Sequence, residues 1–495
     1  MNRKSIYFKL LAVLLCTTFL LACSTNSIPQ TNTATQSTAT DPASLSTVGA
    51  KEISAAISAL VTYDNDDDYS DWISENPNYI ELNGTTATIK GSGAEVKDSK
   101  ITISAAGVYV LSGKLDNGQI LVNVQDKGTV RLVLNGVEIN STDNAPIYIM
   151  NAGKTILTLQ DGTENFISDG VNYVLEDAST DEPNAAIFSK DSLTINGNGT
   201  LSVRGSYNNG ITSKDDLKIT GGNIKIYAAD DGLMGRDIVA VKEVKIFIEA
   251  GGDGIKSSND TDASKGLIAI ENGGFDIISG KDGIQAETSL LINDGTFNIT
   301  SGGGSVNAKV KVVERGAMRP IENSNGSTSA SVNTNAEPNT ASNENIASST
   351  VVATTTEEES AKAIKASKDI AINGGTFNID SSDDAIHSNS NVAIAGGDIT
   401  ITAGDDGVHA DSSIVVEGGK INITKSYEGI EASFVTIAAG KIHVVASDDG
   451  INISGGNDGS SINGRPGQNN FSTSGSNKLN ISGGYVVVDS IGDGL

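Results

Sequence analysis

The sequence predicts an all-β fold, a right-handed parallel β-helix of about 22 residues per coil, and three observations carry that prediction. An acidic residue before Gly or Ala recurs as Asp231, Asp253, Asp282, Asp384, Asp406, Glu428, Asp449 and Asp493, with steps of 22 or 21 from 384 to 449. A second marker, the last glycine of "NGGTF", "AGGDI", "EGGKI" and "AAGKI", falls at Gly375, Gly397, Gly419 and Gly440, with the same period. Between the markers residues alternate: in "DITITA" Ile399, Ile401 and Ala403 share one face, and Asp398, Thr400 and Thr402 the other. Two markers with one period define an internal repeat, and period-two alternation defines half-buried strands. Each repeat reads as strand, carboxylate turn, short strand and Gly-Gly turn. Such a coil buries its inner face only by stacking, and the crossover rule makes the winding right-handed. Propeller repeats of about 40–45 residues and nonapeptide β-roll repeats miss the period.

The elements follow in order. Residues 1–23 read as a lipoprotein signal peptide: Arg3 and Lys4, an apolar run from Ile6 to Leu21, then the lipobox Leu20-Leu21-Ala22-Cys23. Cys23 is the expected lipidated residue, an ordinary secretory signal being the alternative. The chain is then exported and anchored to the membrane through its lipid, in the outer membrane if the cell is Gram-negative, because Ser24 rather than Asp follows. Residues 24–50 read as a flexible Ser/Thr/Ala tether, 51–205 as the N-terminal cap and first coils, and 206–495 as regular coils. Within these, about 310–362 reads as a disordered insertion, about 455–476 as a loop, and a shorter insertion sits near 257–265. The chain stops at "SIGDGL", in mid-repeat, and an uncovered solenoid end predicts at least one further coil beyond Leu495.

Composition narrows the function. Cys16 and Cys23 are the only cysteines, which leaves the exported part without disulfides or thiolate metal sites. Acidic residues outnumber basic ones 61 to 34, for a net charge of −27. That charge repels nucleic acid and anionic lipid, excluding DNA or RNA as a partner. It admits cations, neutral sugars, or a polyanion reached through a cation. Trp72 is the single tryptophan and aromatics are 4% of residues, few for binding that rests on ring stacking alone.

The repeated turns raise an electrostatic question. Stacking places Asp384, Asp406, Glu428 and Asp449 in one column with Asp383, Asp405 and Asp448 beside it, and Asp230 and Asp231 form an earlier pair. At a coil spacing of about 4.8 Å, two carboxylates repel by about 3.5 kcal/mol at an effective dielectric of about 20. A divalent cation turns that liability into a site, and calcium suits oxygen donors in flexible geometry. These residues are therefore the expected calcium ligands, on outward-facing turns; ordinary solvated Asp-Gly turns are the alternative. The segment "DNDDDYSDWISE" sets Asp64, Asp66, Asp68 and Glu75 at EF-hand positions. Tyr69 stands where that loop needs glycine, so it reads as an acidic lead-in instead. His387 and His409, 22 apart, are expected as an exposed stacked pair on the outer surface.

The stretch "GGTFNIDSSDDAIHSNSNVAIAGGDITITAGDDGVHADSSIVVEGGKINITKSYEGIEAS", with "GVYVLSGKLDNGQILVNV" and "VRLVLNGVEI" upstream, resembles the calcium-dependent carbohydrate-binding β-helix proteins first described from cellulolytic clostridia. The resemblance spans about 78–495. It implies a pectate-lyase-like helix, calcium on the turns, and binding of acidic pectin-type polymers and cellulose without established catalysis. Tyr207 and Tyr427, each just before a turn motif, are the candidates to pack on sugar rings, and a monomer is expected. The rival reading is a polysaccharide lyase, which needs a basic residue beside calcium to take the proton next to a uronate carboxylate. Arg236 and Lys256 are the nearest candidates, with Arg204 a coil earlier. A surface adhesin is the third reading.

Overall fold

A computed structural model of the chain describes residues 48–175, 179–308, 360–454 and 477–495, all within one compact body from Thr47 to Leu495. Cys23, the tether up to 47, the loop 455–476 and residues 310–359 of the expected insertion lie outside the described residues.

The alternation seen in the sequence becomes strand. In Asp398–Ala403 the buried positions are Ile399, Ile401 and Ala403, with Asp398 exposed. β-Branched side chains fit this pleated, half-buried surface. Successive coils pair in parallel: Thr376–Ser381 on Asp398–Ala403, Ile386–Ser388 on the start of Val408–Val416, and Asn391–Ile394 on its end. The result is the expected parallel β-helix solenoid. The coil holds three strands rather than two. In "IHSNSNVAI" a bend at Asn389 and Ser390 separates Ile386–Ser388 from Asn391–Ile394, and in the next coils the two merge into Val408–Val416 and Ile430–Ile437.

Inside, equivalent residues stack. Phe275, Phe297 and Phe377 lie ring on ring with centroids 4.7 and 4.6 Å apart, and columns of Ile, Leu and Val fill the remaining interior. Each such side chain contributes about 1.5–3 kcal/mol by leaving water. Before the first long parallel pairings, Asn78–Gly84 pairs antiparallel with Ala87–Lys90, and Ala94–Lys97 with Lys100–Ile103. Residues 360–362, assigned by the sequence to the insertion, belong to a coil: Lys362 is buried and its N–H donates to Asp282 Oδ1 at 2.7 Å.

The sequence also missed a strap on the flank. The helix Ala50–Ser58 buries Ala50, Ile53 and Ile57 against Ala269, Leu291, Ala371 and Ala393, apolar outward residues of successive coils, three of them alanines. The acidic segment after it carries ion pairs: buried Asp67 meets Lys154 at 2.5 Å, Lys218 at 3.4 Å and the Thr194 hydroxyl at 2.6 Å, while Asp68 meets Lys242 at 2.9 Å. The EF-hand-like spacing thus serves lysines on several coils. Among the described residues no helix is long and apolar enough to cross a membrane.

Candidate functional site

The acidic turns are built as a ladder. Asn209 Oδ1 accepts from Asp231 N (3.0 Å), Asp231 Oδ1 from Asp253 N (2.8 Å), and Asp253 Oδ1 from Asp282 N (2.9 Å). After Lys362 the pattern resumes: Asp384 Oδ1 accepts from Asp406 N (3.0 Å), Asp406 Oδ1 from Glu428 N (3.2 Å), and Asp449 Oδ1 from Asp493 N (2.7 Å). Each side chain thus satisfies a backbone donor one coil on, where strand pairing is interrupted by the turn. This corrects one expectation. Asp231, Asp384 and Asp406 are buried rather than outward-facing, because their oxygens are drawn in to those N–H groups. Asp230, Asp383, Asp405, Glu428, Asp448 and Asp449 remain half-exposed.

The column three residues further on answers much of the charge problem. In register from coil to coil it runs Met234, Lys256, Gln285, Lys365, His387, His409, Glu431 and Asn452. Lys256 Nζ lies 2.6 Å from Asp253 and 3.4 Å from Asp231, and Lys365 Nζ 3.2 Å from Asp282. Lys362, which itself occupies a ladder position, reaches Asp383 at 2.7 Å and Asp384 at 3.5 Å. Burial opposes ionisation of Asp384, yet Lys362 and then His387 hold its carboxyl well below the usual range. Burial and the neighbouring Asp282 charge push Asp253 up to about 6. Lys256 is held firmly protonated against the pull of burial by Asp253 and Asp231.

The histidines are a second correction. They alternate with Ile386 and Val408, but they are fully buried, not exposed. The turn before and the bend after close over them: His387 Nδ1 meets Asp384 at 2.7 Å and Nε2 meets Asn389 at 2.9 Å. The two rings stack at 4.8 Å. His409 faces Asp406, Glu431 and Asp411, and these carboxylates raise its pKa well above the usual value despite burial.

Two of the expected calcium turns form cradles over a glycine of the next coil. A Cβ on Gly252 would lie 2.2 Å from Asp230 Oδ1 and 2.6 Å from Asp231 Oδ1. One on Gly492 would lie 2.5 Å from Asp449 Oδ1 and 2.7 Å from Asp448 Oδ1. Asp383, Asp384 and Asp405 also bring carboxylate oxygens within 4.8 Å of one another. There, the Lys362 ammonium stands 2.7 Å from Asp383 and 3.5 Å from Asp384, so this donor set fits a divalent cation less well than the Asp448–Asp449 cradle, or than the Asp230–Asp231 cradle, where Lys256 stands off at 3.4 Å from Asp231.

Of the expected sugar platforms, Tyr207 lies flat on Tyr173, centroids 4.1 Å apart, which covers one of its faces. Tyr427 is half-buried, its N–H donating to the Asp405 carbonyl at 2.7 Å. The sequence reading missed a better platform on the strands Thr200–Gly205, Asn223–Ala228 and Val244–Ala250. Tyr227 and Phe247 lie there with centroids 5.7 Å apart, and the Arg204 guanidinium covers Tyr227 at 5.2 Å. Lys225 and Lys245 flank a groove of about 510 Å³ that runs over Phe247 and Gly274 to Asp276 and Asn298. A second hollow, between Arg204, Tyr227 and Glu249, runs into the backbone just before Asp230. The signal was present: Tyr227 and Phe247 sit in the polar phase of "NIKIYA" and "VKIFIEA", where solvent-facing residues belong.

The chain is 45% identical over 136 residues to a carbohydrate-binding domain-containing protein of Acetivibrio thermocellus, covering 28% of this chain and 48% of that one. The chain thus spans about half the length of that relative. A solved structure, the gadolinium derivative of the polysaccharide lyase-like protein from C. thermocellum, is 38% identical, with a TM-score of 0.45, over 46% of this chain and 92% of that chain. Residues 97–407 match the carbohydrate-binding domain-containing protein family, and the chain belongs to that family.

Proposed function

We propose that the protein is an exported, lipid-anchored binder of acidic, polygalacturonate-type polysaccharide, with calcium assisting and cellulose a weaker ligand. The observation that carries the reading is the strand face around Tyr227 and Phe247. It combines half-buried aromatic rings with Arg204, Lys225 and Lys245, in a chain of net charge −27. Aromatic surface packs on sugar rings, and guanidinium and ammonium groups pair with uronate carboxylates. Because the strands repeat along the solenoid, successive sugars meet successive coils, and weak contacts add as avidity.

Calcium fits the oxygen-only donors of the Asp230–Asp231 and Asp448–Asp449 turns, and when bound it supplies a bridge between a turn carboxylate and a uronate carboxylate. Asp230 lies next to the hollow beside Tyr227, which supports its use by the same ligand. Binding without catalysis is favoured by the lyase candidates themselves. Lys256 is ion-paired to two aspartates, and Arg236 lies 3.6 Å from Asp237, so neither is a ready base.

The test is retention on gelled polygalacturonate and on cellulose, with calcium and with chelator, while absorbance follows unsaturated uronides. Retention that weakens in chelator, with no absorbance change, is expected. Equal retention in chelator rejects the calcium bridge, and a rise in absorbance makes the protein a lyase.

A further inference from the structure

We propose that Asp406, His409 and Glu431 form a binding site for a divalent transition-metal ion of the zinc class, separate from the Asp230–Asp231 and Asp448–Asp449 turns and in place of calcium at Asp406. The three side chains are 0–5% exposed and present Oδ2, Nδ1 and Oε2, all within 4.8 Å of one another.

The spacing between donors carries the argument. His409 Nδ1 lies 3.4 Å from Asp406 Oδ2 and 3.2 Å from Glu431 Oε2. The neighbouring His387 Nδ1 meets a single carboxylate, Asp384, at 2.7 Å. Ligands about 2.0–2.2 Å from a tetrahedral zinc stand about 3.3–3.5 Å apart. His409 Nδ1, one coil later, lies between two carboxylates at separations that a bound metal ion can also span.

The surroundings hold each ligand by its other atom. Asp406 Oδ1 accepts from Glu428 N at 3.2 Å, and Glu431 Oε1 accepts from Ser454 Oγ at 2.6 Å. Asp411 Oδ1 lies 3.2 Å from His409 Nε2, the place of an outer carboxylate that takes the Nε2 proton of a ligating imidazole and so leaves the metal-binding lone pair on Nδ1. An imidazole nitrogen with two carboxylates selects zinc-class ions over calcium, which takes six to eight oxygens. Asp406 and His409 belong to one coil and Glu431 to the next, so the ion would clasp two coils.

The sequence has three histidines, which makes the test specific. Cobalt(II), as the probe, is added to the metal-stripped full chain. Visible absorption, metal content and the paramagnetically shifted imidazole N–H resonance are then recorded. One equivalent of tetrahedral cobalt, displaced by zinc but not by millimolar calcium, is expected. The shifted resonance should vanish in His409→Gln and persist in His387→Gln and His443→Gln. Asp411→Asn should weaken affinity about 10–100-fold, as loss of such an outer partner does. No stoichiometric cobalt in the folded wild type overturns the proposal. So does a signal that survives in folded His409→Gln or Glu431→Gln. Should those variants fail to fold, the wild type decides: its melting temperature must rise with zinc and not with equimolar calcium.

Discussion

Lys362 stands in the ladder between acidic counterparts, Asp282 one coil before and Asp384 one coil after, and it meets Asp383 and Asp384 while almost fully buried. Lys362→Met keeps the volume and removes the charge, leaving a buried carboxylate facing its neighbours. A loss of about 3–5 kcal/mol is expected from denaturant unfolding at neutral pH, the usual cost of breaking a buried pair. A change under about 1 kcal/mol would mean that the column needs no cation there. Asp384 makes a pH-dependent prediction. Its folded-state pKa lies below the ordinary 3.8, so its contribution is complete above that value and is lost as pH falls through the folded one. Asp384→Asn should therefore be less stable than wild type at pH 7, with the gap closing only in strong acid. A constant gap from pH 7 down would refute this. At this scale the sequence was half legible. The doubled aspartates announced charge chemistry, but Lys365 lies a coil from Asp282, where only three-dimensional register joins them, while Lys256 and His387, three residues beyond Asp253 and Asp384, read as outward surface residues.

Among elements, the repeat was legible because one period of alternation and two turn markers recur through the regular coils. The third strand was not, since Asn391–Ile394 follows the short strand Ile386–Ser388 after a bend of only two residues, Asn389 and Ser390. The strap was hidden for a different reason. Ala50–Ser58 has no periodic partner, and the residues it covers, from Ala269 to Ala393, look like ordinary apolar residues on an outer face. Its amphipathic side, Ala50, Ile53 and Ile57, says that it docks but not where. Ile53→Asp should release the helix and raise amide exchange across 48–75. The coils themselves should keep their protection, because each is paired above and below. Loss of protection throughout the solenoid would make the strap part of its core.

For the whole molecule, the fold followed from periodicity, while the carbohydrate surface did not follow from motif. Tyr207 and Tyr427 drew attention by standing beside turns, and one of them spends a face on Tyr173. Tyr227 and Phe247 look like minor departures within two strands until stacking sets them side by side with Arg204, Lys225 and Lys245. A solenoid reads its ligand along a face, so residues 20 apart in sequence act as one platform. The most direct measurement of the central claim is therefore the affinity for polygalacturonate of the Tyr227→Ala/Phe247→Ala double variant, against wild type in calcium. Each aromatic contact of this kind is worth about 0.5–1.5 kcal/mol, so a loss of affinity of about fivefold or more at an unchanged melting temperature is expected. Wild-type affinity in a folded double variant would contradict the account and move the binding surface elsewhere on the helix.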